Sequence, residues 1–348
     1  MINLHRRQFL LTVIGLVIAI AFATVNNLIA VKAVPDGVSD NKAKIVVISD
    51  LNSQYGSTTY EPEVHQAISL IQKWQPDLVL CGGDMIAGQK LSLSTTQIKA
   101  MWAAFDHQIA KPLRDRSIPF GFTIGNHDGS GAISEGNEIF KRERELASAY
   151  WNDPKLNYNL NFIDKAQFPF YYTFEYQGIF FLVWDASTNV ISPQQLSWVE
   201  QSLASNEAQQ AKMRIAIGHL PLYPVAVGRE KSGEYLKEAE KLRNLLEKYQ
   251  VHTYVSGHDH AYYPGKKGQL QLLNAGALGS GPRQLLNSNL PPRKTITIVD
   301  INLSASSTVY TTYDLQTLEI IDPLSLPPII FAPNGKVLRR DLTQAEKS

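Results

Sequence analysis

Five apolar runs in this 348-residue chain stop at, or within a few residues of, a side chain that can bind a metal, and no other feature restricts the fold as tightly. Residues 44–49 lead into Asp50, 78–81 into Gly82-Gly83-Asp84, and 119–124 into Gly125-Asn126-His127-Asp128. Further on, 214–217 lead into Gly218-His219 and 253–255 into Gly257-His258-Asp259-His260. Short runs rich in Val, Ile and Leu predict buried strands, and amphipathic spacing over 61–74, 96–109, 194–203 and 233–249 predicts helices between them. Alternation of that kind is α/β. In open α/β sheets ligands bind where the loops converge beyond the C-terminal strand ends, so five such tips describe one site.

The donors narrow the chemistry. With one cysteine, Cys81, the chain can build neither an internal disulfide nor a thiolate metal cluster, and Cys81 sits inside an apolar strand where a core role is expected. Carboxylates, imidazoles and an amide suit two divalent cations, Mn, Fe or Zn, with Mg also compatible. Two such ions roughly 3.5–4 Å apart can hold a hydroxide nucleophile and clamp a phosphoryl group, so phosphoester hydrolysis is the expected reaction. The 33 Lys+Arg against 32 Asp+Glu leave a net charge of +1, with no basic excess to form a nucleic-acid platform. A small phosphoester is the expected partner.

The series Asp50-x-Asn52, Gly83-Asp84, Gly125-Asn126-His127-Asp128, Gly218-His219 and Gly257-His258-Asp259-His260 resembles the five-block signature of calcineurin-like metallophosphoesterases, in order, from residue 44 to about residue 300. The resemblance implies a four-layer fold, two packed mixed β-sheets flanked by helices with the ligands at strand C-terminal tips. It implies that Asp84 bridges two metals, Asp50 and His260 bind the first, and Asn126, His219 and His258 bind the second. His127 would steady the phosphate and protonate the leaving oxygen, with Asp128 holding its ring. One position departs from the pattern: Asn52 stands where the family usually has His, and it is expected as a weaker, neutral ligand or none. That departure motivates the alternative of a phosphate-ligand binding or scaffold protein with weakened catalysis.

Around this domain, expected over 44–322, lie flanking segments. Arg6 and Arg7 precede an uncharged stretch over residues 8–31, and Val31-Lys32-Ala33 offers a small-residue cleavage site. The start resembles a twin-arginine export signal, so residues 1–33 are expected as a signal peptide or membrane anchor. The protein would then be exported, periplasmic or extracellular, touching a membrane only through an uncleaved 8–31 segment. Residues 34–43 read as a linker, 129–166 as an insertion bordering the site, and 323–348 as a Pro-rich, charged tail. Asp185, and the cluster Tyr262, Tyr263 and Arg283, are each open to a structural or a site-lining role.

Overall fold

The structure, a computed structural model, describes residues 41–279 and 281–342. The expected export signal and most of the linker fall outside them. Among the described residues no helix is long and apolar enough to cross a membrane.

The apolar runs pair into two mixed sheets. One has five strands in the order Ser307–Asp314, Thr295–Asn302, Lys42–Ile48, Leu78–Cys81, Phe120–Phe122, of which the last three are parallel. The other has nine: Ile329–Ala332, Gly335–Arg339, Tyr263–Lys267, Leu270–Asn274, Thr253–Ser256, Met213–Ile217, Ile179–Val183, Tyr171–Tyr176 and Asn161–Gln167. Its centre, from Leu270–Asn274 to Ile179–Val183, is parallel, and both margins are antiparallel. The sheets pack face to face: Ile45, Val47 and Leu80 of the first and Ile215, Val255 and Leu273 of the second line one small internal cavity. Between them the Tyr172 hydroxyl donates to the Phe122 carbonyl (2.6 Å) and accepts from its N–H (3.1 Å). Helices flank this pair, giving the expected α/β arrangement.

The helices follow from local signals. Pro62–Trp74 has Pro at its first position and buries Val64, Ala67, Ile68 and Ile71 at helical spacing. Thr95–Phe105 starts at a Ser94/Gln97 capping box and continues through a π-helical turn to Arg114, beyond the expected end.

Three expectations are corrected. The helix read over 233–249 spans only Ala239–Lys248, because Gly233 (φ 103°) and Glu238 (φ 59°) adopt left-handed backbone that a helix interior excludes. The stretch after Pro323 is no tail as far as residue 342: Ile329–Ala332 and Gly335–Arg339 form a hairpin that pairs with Tyr263–Lys267 and buries Ile330 and Val337. Finally, Asn161–Gln167, all but its last residue inside the stretch read as an insertion, is an edge strand of the larger sheet.

Candidate active site

At the strand tips the backbone leaves extended geometry abruptly. Asp50, Asp84, His258 and His260 all have left-handed φ, between 52° and 66°. Such a conformation costs an L-residue roughly 1–2 kcal/mol, and a net of backbone bonds offsets it. Asp50 N–H donates to the Gly83 carbonyl (2.9 Å), and the Leu51 and Asn52 N–H groups share the Asp84 carbonyl (2.9 and 3.1 Å). Two glycines let the tips close: a Cβ on Gly125 would lie 2.1 Å from Asp84 Oδ1, and one on Gly257 2.0 Å from Ser49 Oγ.

The six expected ligands from these tips come together. Asp50, Asp84 and His260 each offer a ligand atom within 4.8 Å of the others, all buried. Asp50 Oδ1 lies 3.2 Å from His260 Nε2, and Asp84 Oδ2 lies 3.3 Å from His219 Nε2. Asn126 Oδ1 sits 2.9 Å from His219 Nε2 and 3.0 Å from His258 Nδ1.

Each nitrogen ligand is oriented from behind. His219 Nδ1–H donates to the Gly82 carbonyl (2.7 Å), His260 Nδ1–H to Gly281 (2.9 Å), and His258 Nε2–H to Glu234 Oε2 (3.0 Å). In the neutral ring the opposite nitrogen then presents its lone pair toward the centre, the arrangement a metal-ligating histidine needs. Asn126 Nδ2 likewise donates to Gln89 Oε1 (2.7 Å), which turns its amide oxygen inward.

Electrostatics agree with this reading. Burial opposes charge on Asp50 and Asp84, yet His260 and His219 hold Asp50 low, and His219 and His127 hold Asp84 well below the usual carboxylate range. The same pairing carries His219 up to about 9 against its own burial, through Asp84 and Asp50. Two buried carboxylates thus select positive charge at this point, which a divalent cation would supply. Burial drives His258 down to about 3 despite its bond to Glu234, so that ring is neutral and able to ligate. The donors present fit a divalent metal centre.

His127 and Asp128 separate. Asp128 is fully buried, and its carboxylate accepts four backbone N–H groups: Met85 (2.8 Å) and Ile86 (2.9 Å) on Oδ1, Asp84 and Gly125 (both 2.8 Å) on Oδ2. The expectation that it holds the His127 ring is therefore corrected: its acceptor sites are spent on locking two ligand loops together. His127 remains at the mouth with its side chain 21% exposed and Nε2 3.9 Å from Asp84 Oδ2. Burial lowers its pKa, partly offset by Asp84. Asn52 is buried beside the cluster, its Nδ2 donating to the Ile86 carbonyl (3.2 Å).

Sequence reasoning missed Gln89, Glu234 and Tyr55, whose ring stacks on His127. Glu234 was hidden inside a stretch with helical spacing; the glycine before it was the available signal. Of the open cases, Asp185, Tyr262 and Tyr263 resolve toward structure. Asp185 accepts from Arg144 Nη2 (2.7 Å), while Arg144 Nη1 reaches the Gly129 carbonyl (2.9 Å), tying helix Lys141–Trp151 to the loop after Asp128. Tyr262 and Tyr263 are buried, and burial pushes the Cys81 thiol well above its usual range, as a core cysteine requires.

Comparison with known proteins points the same way. A family model described as calcineurin-like phosphoesterase matches residues 43–262. Among solved structures, the chain is similar to a purple acid phosphatase from yellow lupin (Lupinus luteus) seeds, at 17% identity and a TM-score of 0.59, covering 83% of this chain and 54% of that one. It thus spans about half the length of the lupin protein. It is also similar to a dimetal phosphatase from Danio rerio, at 14% identity and a TM-score of 0.54, covering 80% of this chain and 98% of that one. Both likenesses speak to the fold alone. No curated protein matches the sequence significantly.

Proposed function

This chain belongs to the calcineurin-like phosphoesterase family, and from that premise we propose that it is a metal-dependent phosphohydrolase cleaving phosphomonoesters or phosphodiesters. The observation that carries the reading is the buried convergence of Asp50, Asp84 and His260, joined by His219, His258 and Asn126, whose inner ring nitrogens and amide oxygen face one another while the outer polar atom of each His and of Asn126 is bonded. In this reading Asp50, His260 and Asp84 would hold one divalent ion, and His219, His258 and Asn126, with Asp84 shared, would hold the second. The ions, when bound, supply Lewis acidity, nucleophile activation and charge neutralisation.

The chain's own residues do the rest. Gly82, Gly281, Glu234 and Gln89 fix the planes of the ligands, so the site is organised before substrate arrives. His127, at the mouth, carries the proton to the leaving oxygen. Its lowered pKa makes the imidazolium a stronger acid than an ordinary histidine. Purified protein supplied with Mn²⁺, Zn²⁺, Fe²⁺ or Mg²⁺ should hydrolyse p-nitrophenyl phosphate or bis-p-nitrophenyl phosphate, and chelation should abolish turnover. His127→Ala should lower kcat about 100-fold, the low end for a lost general acid. No turnover with any of the four metals would overturn the hydrolase reading in favour of a phosphate-binding scaffold.

We further propose that residues 1–33 export the enzyme, supported by Arg6 and Arg7 before the uncharged 8–31 stretch. Changing both arginines to lysine should leave the full chain inside the cell; unchanged export, followed by fractionation and immunoblot, would remove the twin-arginine assignment.

A further inference from the structure

The backbone of His127 is fixed on both sides, and its ring is not. Its N–H donates to Asp84 Oδ1 (2.8 Å) and its carbonyl accepts from Gly88 N–H (2.9 Å). On the ring, Nδ1 is buried with no hydrogen-bond partner, and Nε2 is 3.9 Å from Asp84 Oδ2, beyond hydrogen-bonding distance. Asp128, the neighbour from which a carboxylate partner was expected, is bound to four amides. Something other than a hydrogen bond must set the plane of this imidazole.

Tyr55 occupies that place. Its ring lies over the His127 ring with centroids 5.2 Å apart and planes 23° from parallel. The side chain is half exposed and contributes nothing to the core, so packing does not account for its position. Its position is nevertheless built: Gly56 N–H, one residue on, donates to the Ala87 carbonyl (3.1 Å), next to the Gly88 N–H that holds the His127 carbonyl. At Gly56 (φ 82°) a Cβ would meet Leu93 Cδ2 at 2.9 Å, so the turn that presents Tyr55 is specific to glycine. Both rings thus hang from the same short segment that follows Asp84.

We propose that Tyr55 is the positioning residue for His127, its ring face holding the imidazole plane in the orientation that reaches substrate. A stacked ring fixes that plane without consuming either nitrogen, so the proton-carrying atom stays free for the leaving oxygen. The inference rests on the acid role given above to His127.

The test uses the full metal-loaded chain with p-nitrophenyl phosphate. Tyr55→Phe keeps the ring and should hold kcat to within about twofold, whereas Tyr55→Ala should lower it about five- to tenfold, the scale of one lost aromatic stack, with KM nearly unchanged. In the His127→Ala background, Tyr55→Ala should cost nothing further, because its effect runs through that ring. An independent readout comes from the His127 imidazole proton resonances. Ring-current shielding by Tyr55 should hold them upfield in the wild type and in Tyr55→Phe, and release them in Tyr55→Ala. The inference is overturned if Tyr55→Ala keeps full kcat while His127→Ala does not, if it raises KM alone, as a substrate contact would, or if the two losses multiply. Full kcat in His127→Ala overturns the acid role itself and this inference with it, an outcome distinct from the other three.

Discussion

The floor of the site and its mouth meet at the peptide between His127 and Asp128, and they are built by opposite means. On the floor, Asp128 takes four backbone N–H groups, and His219, His258, His260 and Asn126 each have an outer polar atom bonded to a carbonyl, a carboxylate or an amide. At the mouth, His127 has a ring nitrogen with no partner and leans on an exposed aromatic face. Saturated hydrogen bonding fixes ligand atoms against the pull of two like-charged carboxylates. A stack fixes only a plane, which suits the proton-carrying role proposed for His127.

The sharpest way to break this contrast is Asp128→Asn. The amide keeps the shape but turns an NH₂ toward two of the four N–H donors, leaving them buried and unpaired at about 1–3 kcal/mol each, so a loss of about 2–6 kcal/mol is expected. Denaturant unfolding of the metal-free protein should show it, while His127→Ala should cost far less. If Asp128→Asn instead keeps full stability and loses kcat as His127→Ala does, then Asp128 acts through the His127 ring and the division between floor and mouth collapses.

That outcome would restore what the sequence alone suggests, and the reason the structure departs from it is geometric. Residues Asn126–Gly129 form one helical turn, and successive side chains on a helix point about 100° apart. Adjacent letters in Asn126-His127-Asp128 are therefore poor evidence of contact: Asp128 turns into the loops while His127 turns to the mouth. Strand tips were legible for the converse reason. A short β-branched run such as residues 44–49 reads as a buried strand, and its end places Asp50 beside Asp84 by parallel pairing of Ile48 with Cys81. Tyr55, Gln89 and Glu234 come from irregular loops, where no periodicity links a residue to the tip it supports. The hairpin at 329–339 was obscured by the prolines before it, at 327 and 328.

A smaller effect, on the floor itself, comes from Glu234, which reaches in from a loop to hold His258 and also pairs with Arg229. The hydrogen bond from His258 is the main reason its carboxyl is held at about 2, below the ordinary 4.5. Glu234→Gln keeps an acceptor for His258 but removes the charge, and loss of such an outer carboxylate lowers metal affinity by about 10- to 100-fold. Titration of the metal-free protein with Zn²⁺ should show the loss for one ion and not the other, since His260 of the first group is backed by the Gly281 carbonyl instead. The pH dependence carries a sign that tests the same point. A carboxylate depressed in the folded state stabilises it above its unfolded pKa and stops doing so as pH falls through the folded one. The stability difference between wild type and Glu234→Gln should therefore be constant above about pH 4.5 and shrink toward pH 2. Equal weakening of both ions would mean that the loop carrying Glu234 shapes the whole floor, and that the two metal sites cannot be treated as separately supported.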